Sequence, residues 1–122
     1  MDVMKIFVTG GSGFVGGRIV ARLRSEGHSV MALARSPQSA TVIERLGAVP
    51  VLGDLADLAS RSPDWLGSIG GVDAVIHAAA KMEFWGEDEI FLRDNHVPTV
   101  ALHDAAGQAG VGTFVLISAA SV

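Results

Sequence analysis

Apolar residues follow one another along this chain in two alternating rhythms. Short, turn-bounded apolar runs at 3–8, 29–34, 48–52, 72–77 and 113–118 predict five buried strands. The run at 72–77 is apolar on both faces, as a strand covered by helices must be. Between the first two runs, Val15, Ile19, Val20 and Leu23 recur at helical spacing. Arg18, Arg22 and Glu26 lie on the other side, and Gly27 is placed to end the helix. Arg35-Ser36-Pro37 breaks the second strand, and a short helix is predicted over 40–46. Gly53-Asp54-Leu55 closes the third strand. The stretch 56–69 reads as helical in part, with Pro63 able to open a helix and Trp65 and Leu66 packing inward, until Gly70-Gly71 ends it. A loop over 78–86 precedes a long helix over 87–109. There Pro98 removes the amide that would bond Asp94, which predicts a bend.

Strict alternation of strand and helix predicts right-handed crossovers and a doubly wound, Rossmann-like parallel sheet of order 3-2-1-4-5. In such a sheet the ligand crevice opens at the carboxyl ends of strands 1 and 4. With 122 residues, 49% of them hydrophobic, the chain can bury one core, so residues 1–122 are taken as one domain without an internal linker. The net charge is −4, and the nine basic residues form no stripe, which argues against a nucleic-acid partner. Zero cysteines exclude disulfides, thiolate zinc sites and cysteine catalysis, and suit a reducing compartment. The apolar stretch 72–80, interrupted by Asp73 and His77, is far shorter than the ~20 residues of a membrane helix. Asp2 and the early glycines leave no room for a signal-peptide core, so the expectation is a soluble cytoplasmic protein.

The first strand feeds Val8-Thr9-Gly10-Gly11-Ser12-Gly13-Phe14-Val15-Gly16-Gly17, and the amphipathic segment begins inside this stretch. Glycines fall at 10, 13 and 16, and also at 11, 13 and 16, so both dinucleotide-binding spacings fit. At the strand end a side chain would block the tight turn. Gly13 lets backbone approach a pyrophosphate, and Gly16 lets the helix pack against the strand. The amides and positive dipole end of the helix then face the anion.

Five motifs in order resemble the extended short-chain dehydrogenase/reductase family, also called NAD-dependent epimerase/dehydratases. They are Thr9 to Gly16, Gly53-Asp54-Leu55, His77-Ala78-Ala79-Ala80, Asn95-His96-Val97-Pro98-Thr99 and Phe114-Val115-Leu116-Ile117-Ser118. The resemblance implies that Phe14 and Val15 lend backbone contacts to the pyrophosphate and that Asp54 hydrogen-bonds the adenine amino group, with the Leu55 backbone beside it. It implies that Ala78, Ala79 and Ala80 stay small because the cofactor runs past them, and that Asn95 ties the long helix to the central strand. The competing reading of Asp54, less favoured, is a cap or turn residue after Gly53. A free ribose 2′-hydroxyl wants an acid at the end of strand 2, whereas a 2′-phosphate wants a cation. Alanine stands at 34 and Arg35 follows, which favours NADP over NAD.

Chemistry in that family uses a tyrosine, a nearby lysine and a serine or threonine. This chain has no tyrosine, and Ala119 falls at the usual serine register, leaving Ser118 and Ser121 as candidate hydroxyls. The expectation is therefore the dinucleotide-binding, N-terminal part of an oxidoreductase or epimerase acting on a hydroxyl or ketone of a small-molecule substrate. Its catalytic pair and substrate-binding part would lie beyond Val122. The alternative is a non-catalytic dinucleotide-binding or redox-sensing module. The long helix in relatives often packs against a partner subunit, which makes a homodimer an expectation too. His28 is placed in the turn before strand 2, and His77 as a strand-end hydrogen-bonding group. His96 and His103 share a helix face without the partners of a metal site. Phe84 and Trp85 lie in a loop at the crevice mouth, as a core cap or as part of a nicotinamide and substrate lining.

Overall fold

The computed structural model describes residues 3–59, 63–78 and 97–117. It contains β1 (Lys5–Thr9), α1 (Phe14–Ser25), β2 (Ser29–Ala34), α2 (Pro37–Arg45) and β3 (Val49–Leu52). Two 3-10 helices follow, Leu55–Ala59 and Asp64–Ile69, and then β4 (Ala74–His77), α3 (Val97–Gln108) and β5 (Thr113–Leu116). All strand pairs are parallel, and the sheet order is β3-β2-β1-β4-β5, the doubly wound order read from the alternation. Among the described residues no helix is long and apolar enough to cross a membrane.

Side-chain alternation along the strands sorts the core into two layers. Ile6, Val8, Ala32, Ala34 and Ala74 point to one face, where Val20 of α1 and Ile43 of α2 cover them. Phe7, Leu33 and Val75 point to the other, against Leu58, Trp65 and Ile69 of the 3-10 helices and Leu102 and Ala106 of α3. The first face carries small residues at 32 and 34, which lets helices come close. The second carries large ones, and there Phe7 stacks on Trp65 with ring centroids 6.0 Å apart.

Element edges depart from the periodicity where side chains compete with backbone. The second helix begins at Pro37, three residues earlier than the apolar spacing predicts. Ser36 caps it by accepting the Ser39 amide at 3.1 Å, and proline, having no amide to satisfy, fits the first helical position. Residues 55–59 and 64–69 wind as 3-10 helices, because Pro63 and Gly70 bound pieces too short for an α-helix, and Pro63 caps the second rather than entering it. β1 starts at Lys5 rather than at 3, and β4 at Ala74 rather than at 72. There the Asp73 carboxylate accepts the Lys5 amide at 2.8 Å, and the Asp73 amide donates to the Lys5 carbonyl at 2.7 Å, closing the ladder. β3 begins at Val49 and β5 ends at Leu116, each shorter than its apolar run. Gly27, with φ +87°, turns the chain out of α1 as expected. The predicted bend at Pro98 involves Asp94, which lies outside the described residues, as does the helix expected before Val97.

Among the described residues β3 and β5 are the two sheet edges. The Gly53 amide bonds the Ala34 carbonyl, so by alternation Pro50 presents its missing donor away from β2 and blunts the β3 edge. β5 carries the half-exposed Val115 and Leu116 at the other edge.

The two-layer core sets a contrast that urea denaturation measures. Phe7→Ala, at a fully buried position between sheet and Trp65, costs about 3–5 kcal/mol. Val42→Ala, on the outer side of α2, costs less than about 0.5 kcal/mol. Comparable losses at both positions would contradict the layer assignment.

Candidate functional site

The carboxyl ends of β1 and β4 meet at a buried polar joint. Thr9 and His77 are register partners, both essentially inaccessible to solvent, and Thr9 Oγ1 and His77 Nδ1 share a hydrogen bond of 2.5 Å. The backbone closes the joint further. The Ala78 amide donates to the Thr9 carbonyl at 3.1 Å, and the Ile117 amide donates to the His77 carbonyl at 2.9 Å. Burial penalises the imidazolium and pushes the His77 pKa below its ordinary 6.5, so the ring is neutral at physiological pH. His77 is thus a strand-end hydrogen-bonding group, as its position implied.

Directly above the joint the chain turns from β1 into α1. Gly10 has φ +74°, a conformation that favours glycine. Gly11 lies against Ala32, where a Cβ would come within 3.0 Å of the alanine methyl. Gly13 caps the helix in extended conformation with no side chain to serve as acceptor. Its amide donates to the Gly10 carbonyl at 3.0 Å, and its own carbonyl accepts from Gly17 at 2.8 Å. The decisive contact is at Gly16, where any Cβ would fall on the Gly10 carbonyl group. The third glycine of the pattern therefore seats the helix on the turn rather than on the strand itself. The amides of Phe14, Val15 and Gly16 make no hydrogen bond among the described residues, and the first turn holds no acidic side chain. Phe14 is 80% exposed and Val15 is half-exposed. The result is an open set of N–H donors at a positive helix end, chemically suited to an anion.

Four further predicted residues stand along the same sheet edge. Ala34 pairs with Leu52, which puts Arg35 one residue and Asp54 two residues past a shared register line. Arg35 is exposed and makes no ion pair or hydrogen bond among the described residues. Asp54 is exposed, and its Oδ1 accepts the Ala56 amide at 2.9 Å. Asp54 is therefore a turn residue that opens the first 3-10 helix while still facing solvent. Leu55 packs against the Trp65 layer, and Ala78 is half-buried just past β4. The indole of Trp65 occupies the space where a Gly53 Cβ would stand, so this ring fixes the path of the Gly53–Asp54 turn. Ala79, Ala80, Phe84, Trp85, Asn95, His96, Ser118 and Ser121 lie outside the described residues. His103 is exposed beside Asp104 at 3.6 Å, and no group of three or more potential metal ligands occurs among the described residues.

Two contacts at this edge were not legible in the motifs. The motifs give Thr9 only as the start of the glycine pattern, and Gly53 only as the end of strand 3 and part of Gly53-Asp54-Leu55. The partners that explain them, His77 and Trp65, are far away in sequence. A register argument on parallel strands 1 and 4 was the signal that could have paired Thr9 with His77.

Substitutions at adjacent glycines should have opposite signs. Gly16→Ala destabilises by about 1–3 kcal/mol, because a methyl must displace backbone. Gly17→Ala meets only ordinary contacts within α1 and stabilises by about 0.5–1 kcal/mol. Thermal or urea midpoints decide this, and equal effects would contradict the seating of α1. A pH dependence follows from His77. Its folded pKa lies below 6.5, so as pH falls the unfolded chain binds the proton first. The contribution of His77 is complete above 6.5 and is lost as pH falls toward the lower folded value. Urea unfolding between about pH 7.5 and about pH 5.5 should show a steeper loss for the native chain than for His77→Gln, and parallel curves would contradict the burial argument.

Residues 6–122 match the model of the NAD dependent epimerase/dehydratase family. The chain is 38% identical over 121 residues to a sterol-4-alpha-carboxylate 3-dehydrogenase, decarboxylating, of Dictyostelium discoideum, with 96% of this chain and 36% of that protein covered. Among solved structures it resembles a short-chain dehydrogenase/reductase superfamily protein from Agrobacterium tumefaciens with bound NAD. The TM-score is 0.72 at 34% identity, over 94% of this chain and 32% of that one. It also resembles UDP-glucose-4-epimerase from Stenotrophomonas maltophila with bound NAD and formylated UDP-arabinopyranose. There the TM-score is 0.77 at 30% identity, over 96% of this chain and 37% of that one. The chain thus spans about a third of the length of these relatives (36%, 32% and 37%). With the glycine turn, the sheet order and a family match running from β1 to residue 122, the chain belongs to the NAD dependent epimerase/dehydratase family.

Proposed function

We propose that this chain is the dinucleotide-binding part of an NAD(P)-dependent oxidoreductase or epimerase that acts on a hydroxyl or ketone of a small-molecule substrate. The observation that carries the reading is the start of α1, where three unpaired amides sit over a turn that admits no side chain at Gly16. A nicotinamide dinucleotide fits this chemistry, because its pyrophosphate supplies the negative oxygens those donors lack. Bound NAD in two relatives of at least 30% identity and matching fold supports the same reading.

When bound, the nicotinamide ring supplies the hydride acceptor or donor. The chain's own residues bind and orient. Gly10, Gly13 and Gly16 keep the turn free of side chains, and the Phe14 and Val15 amides hold the pyrophosphate. The exposed carboxylate of Asp54 receives the adenine amino group, with the Leu55 backbone beside it. Ala78 leaves room just past β4, and the family resemblance assigns Ala79, Ala80 and Asn95 to the same cofactor site. Ser118 and Ser121 are the hydroxyls available to orient a substrate oxygen. Arg35, exposed past β2 and unpaired among the described residues, offers a fork of donors and a fixed charge to a 2′-phosphate, which favours NADP over NAD.

Calorimetric titration tests the reading. NADPH should bind more tightly than NADH, and Arg35→Ala should weaken NADPH by roughly tenfold or more while leaving NADH nearly unchanged. Tighter NADH binding would overturn the NADP assignment. No heat with either dinucleotide in a folded sample would overturn the dinucleotide site.

A further inference from the structure

We infer that Arg18 is a phosphate-binding residue, held ready over the first turn of α1 by the ring of Phe14. The inference rests on the dinucleotide reading above and adds to it a side chain outside the glycine motif. Arg18 stands one helical turn after Phe14, and its guanidinium carbon lies 5.2 Å from the centre of the exposed Phe14 ring. Helical side chains lean toward the N-terminus, so Arg18 leans toward the first turn, whose amides make no hydrogen bond among the described residues.

The neighbouring arginines of α1 are already engaged. Arg22 Nε pairs with Glu26 at 3.1 Å, and Arg24 Nη1 donates to the His28 carbonyl at 2.8 Å. Arg18 makes no ion pair or hydrogen bond among the described residues and stacks on an aromatic face, which leaves its donors available. No acidic residue occupies the first turn to neutralise it, and the cap is a glycine without a side-chain acceptor. A guanidinium is weakly hydrated and planar, so it can stack on a ring and still turn its N–H edge to a phosphate oxygen. Its place on α1 assigns it to the pyrophosphate, common to NADH and NADPH. Arg35, at the end of β2, would instead meet a 2′-phosphate, which only NADPH carries.

Titration of the full chain with NADH, NADPH and ADP-ribose, at low and at physiological salt, tests this. Arg18→Ala should weaken all three ligands alike by roughly fivefold and flatten the salt dependence. Phe14→Leu, which removes the ring but keeps the charge, should fall between Arg18→Ala and the native chain. Arg22→Ala should bind like the native chain. Native binding that Arg18→Ala leaves within about twofold would overturn the role of Arg18 while sparing the dinucleotide reading. A loss confined to NADPH would overturn the assignment to the pyrophosphate. An equal loss in Arg22→Ala would reduce the effect to general surface charge and overturn it as well. A folded native chain that binds none of the three overturns the dinucleotide reading and this inference with it.

Discussion

The close approach of α1 to the turn beneath it governs the carboxyl edge of the sheet. At Gly16 the helix backbone comes so near the Gly10 carbonyl that no side chain fits between them. Gly11 makes the matching approach to Ala32 on the neighbouring strand. The small residues Ala32 and Ala34 on this face, opposite Phe7 and Leu33 on the other, permit that approach. Because the helix starts so close to the turn, its first amides emerge at the carboxyl edge of the sheet. Their lack of partners among the described residues is then a consequence of geometry, and such donors are chemically suited to an anion.

That geometry needs a rigid base, and the Thr9–His77 joint supplies one. Two polar side chains buried at the ends of the central strands would be costly if unpaired, and here they bond each other while the backbone on both sides is bonded across the sheet. The turn that follows Thr9 and the chain that follows His77 therefore leave from fixed points. Trp65 performs a similar service for β3. Stacked on Phe7 and pressed on Gly53, it sets where Asp54 leaves the strand, and the Asp54 carboxylate completes the turn by accepting the Ala56 amide. The edge is thus positioned from below by buried core residues.

Local pattern was enough for the architecture. Strand runs bounded by turns gave β2 at its observed limits, and the alternation of strand and helix gave the sheet order. The glycine spacing located the turn, since Gly10, Gly13 and Gly16 answer constraints within a few residues of themselves. Local pattern failed where a side chain replaced a backbone partner. Ser36 drew the α2 start back to Pro37, and Asp73 took the Lys5 amide and shortened β4. It failed again where the constraint was distant. Thr9 and His77 are 68 residues apart, and nothing near Gly53 in sequence announces the indole of Trp65. Periodicity carries information about which face a residue takes, but not about which residue on another element it meets there.

The central claim is that the first amides of α1 are the anion-binding groups of this chain. Backbone amide NMR shifts followed during titration with NADPH test it most directly. The account predicts that Phe14, Val15 and Gly16 show the largest downfield movements, with Gly13 and Arg18 next and the far end of α1 near Ser25 unmoved. Saturable binding that leaves the amides at 14–16 in place and moves another surface instead would contradict it.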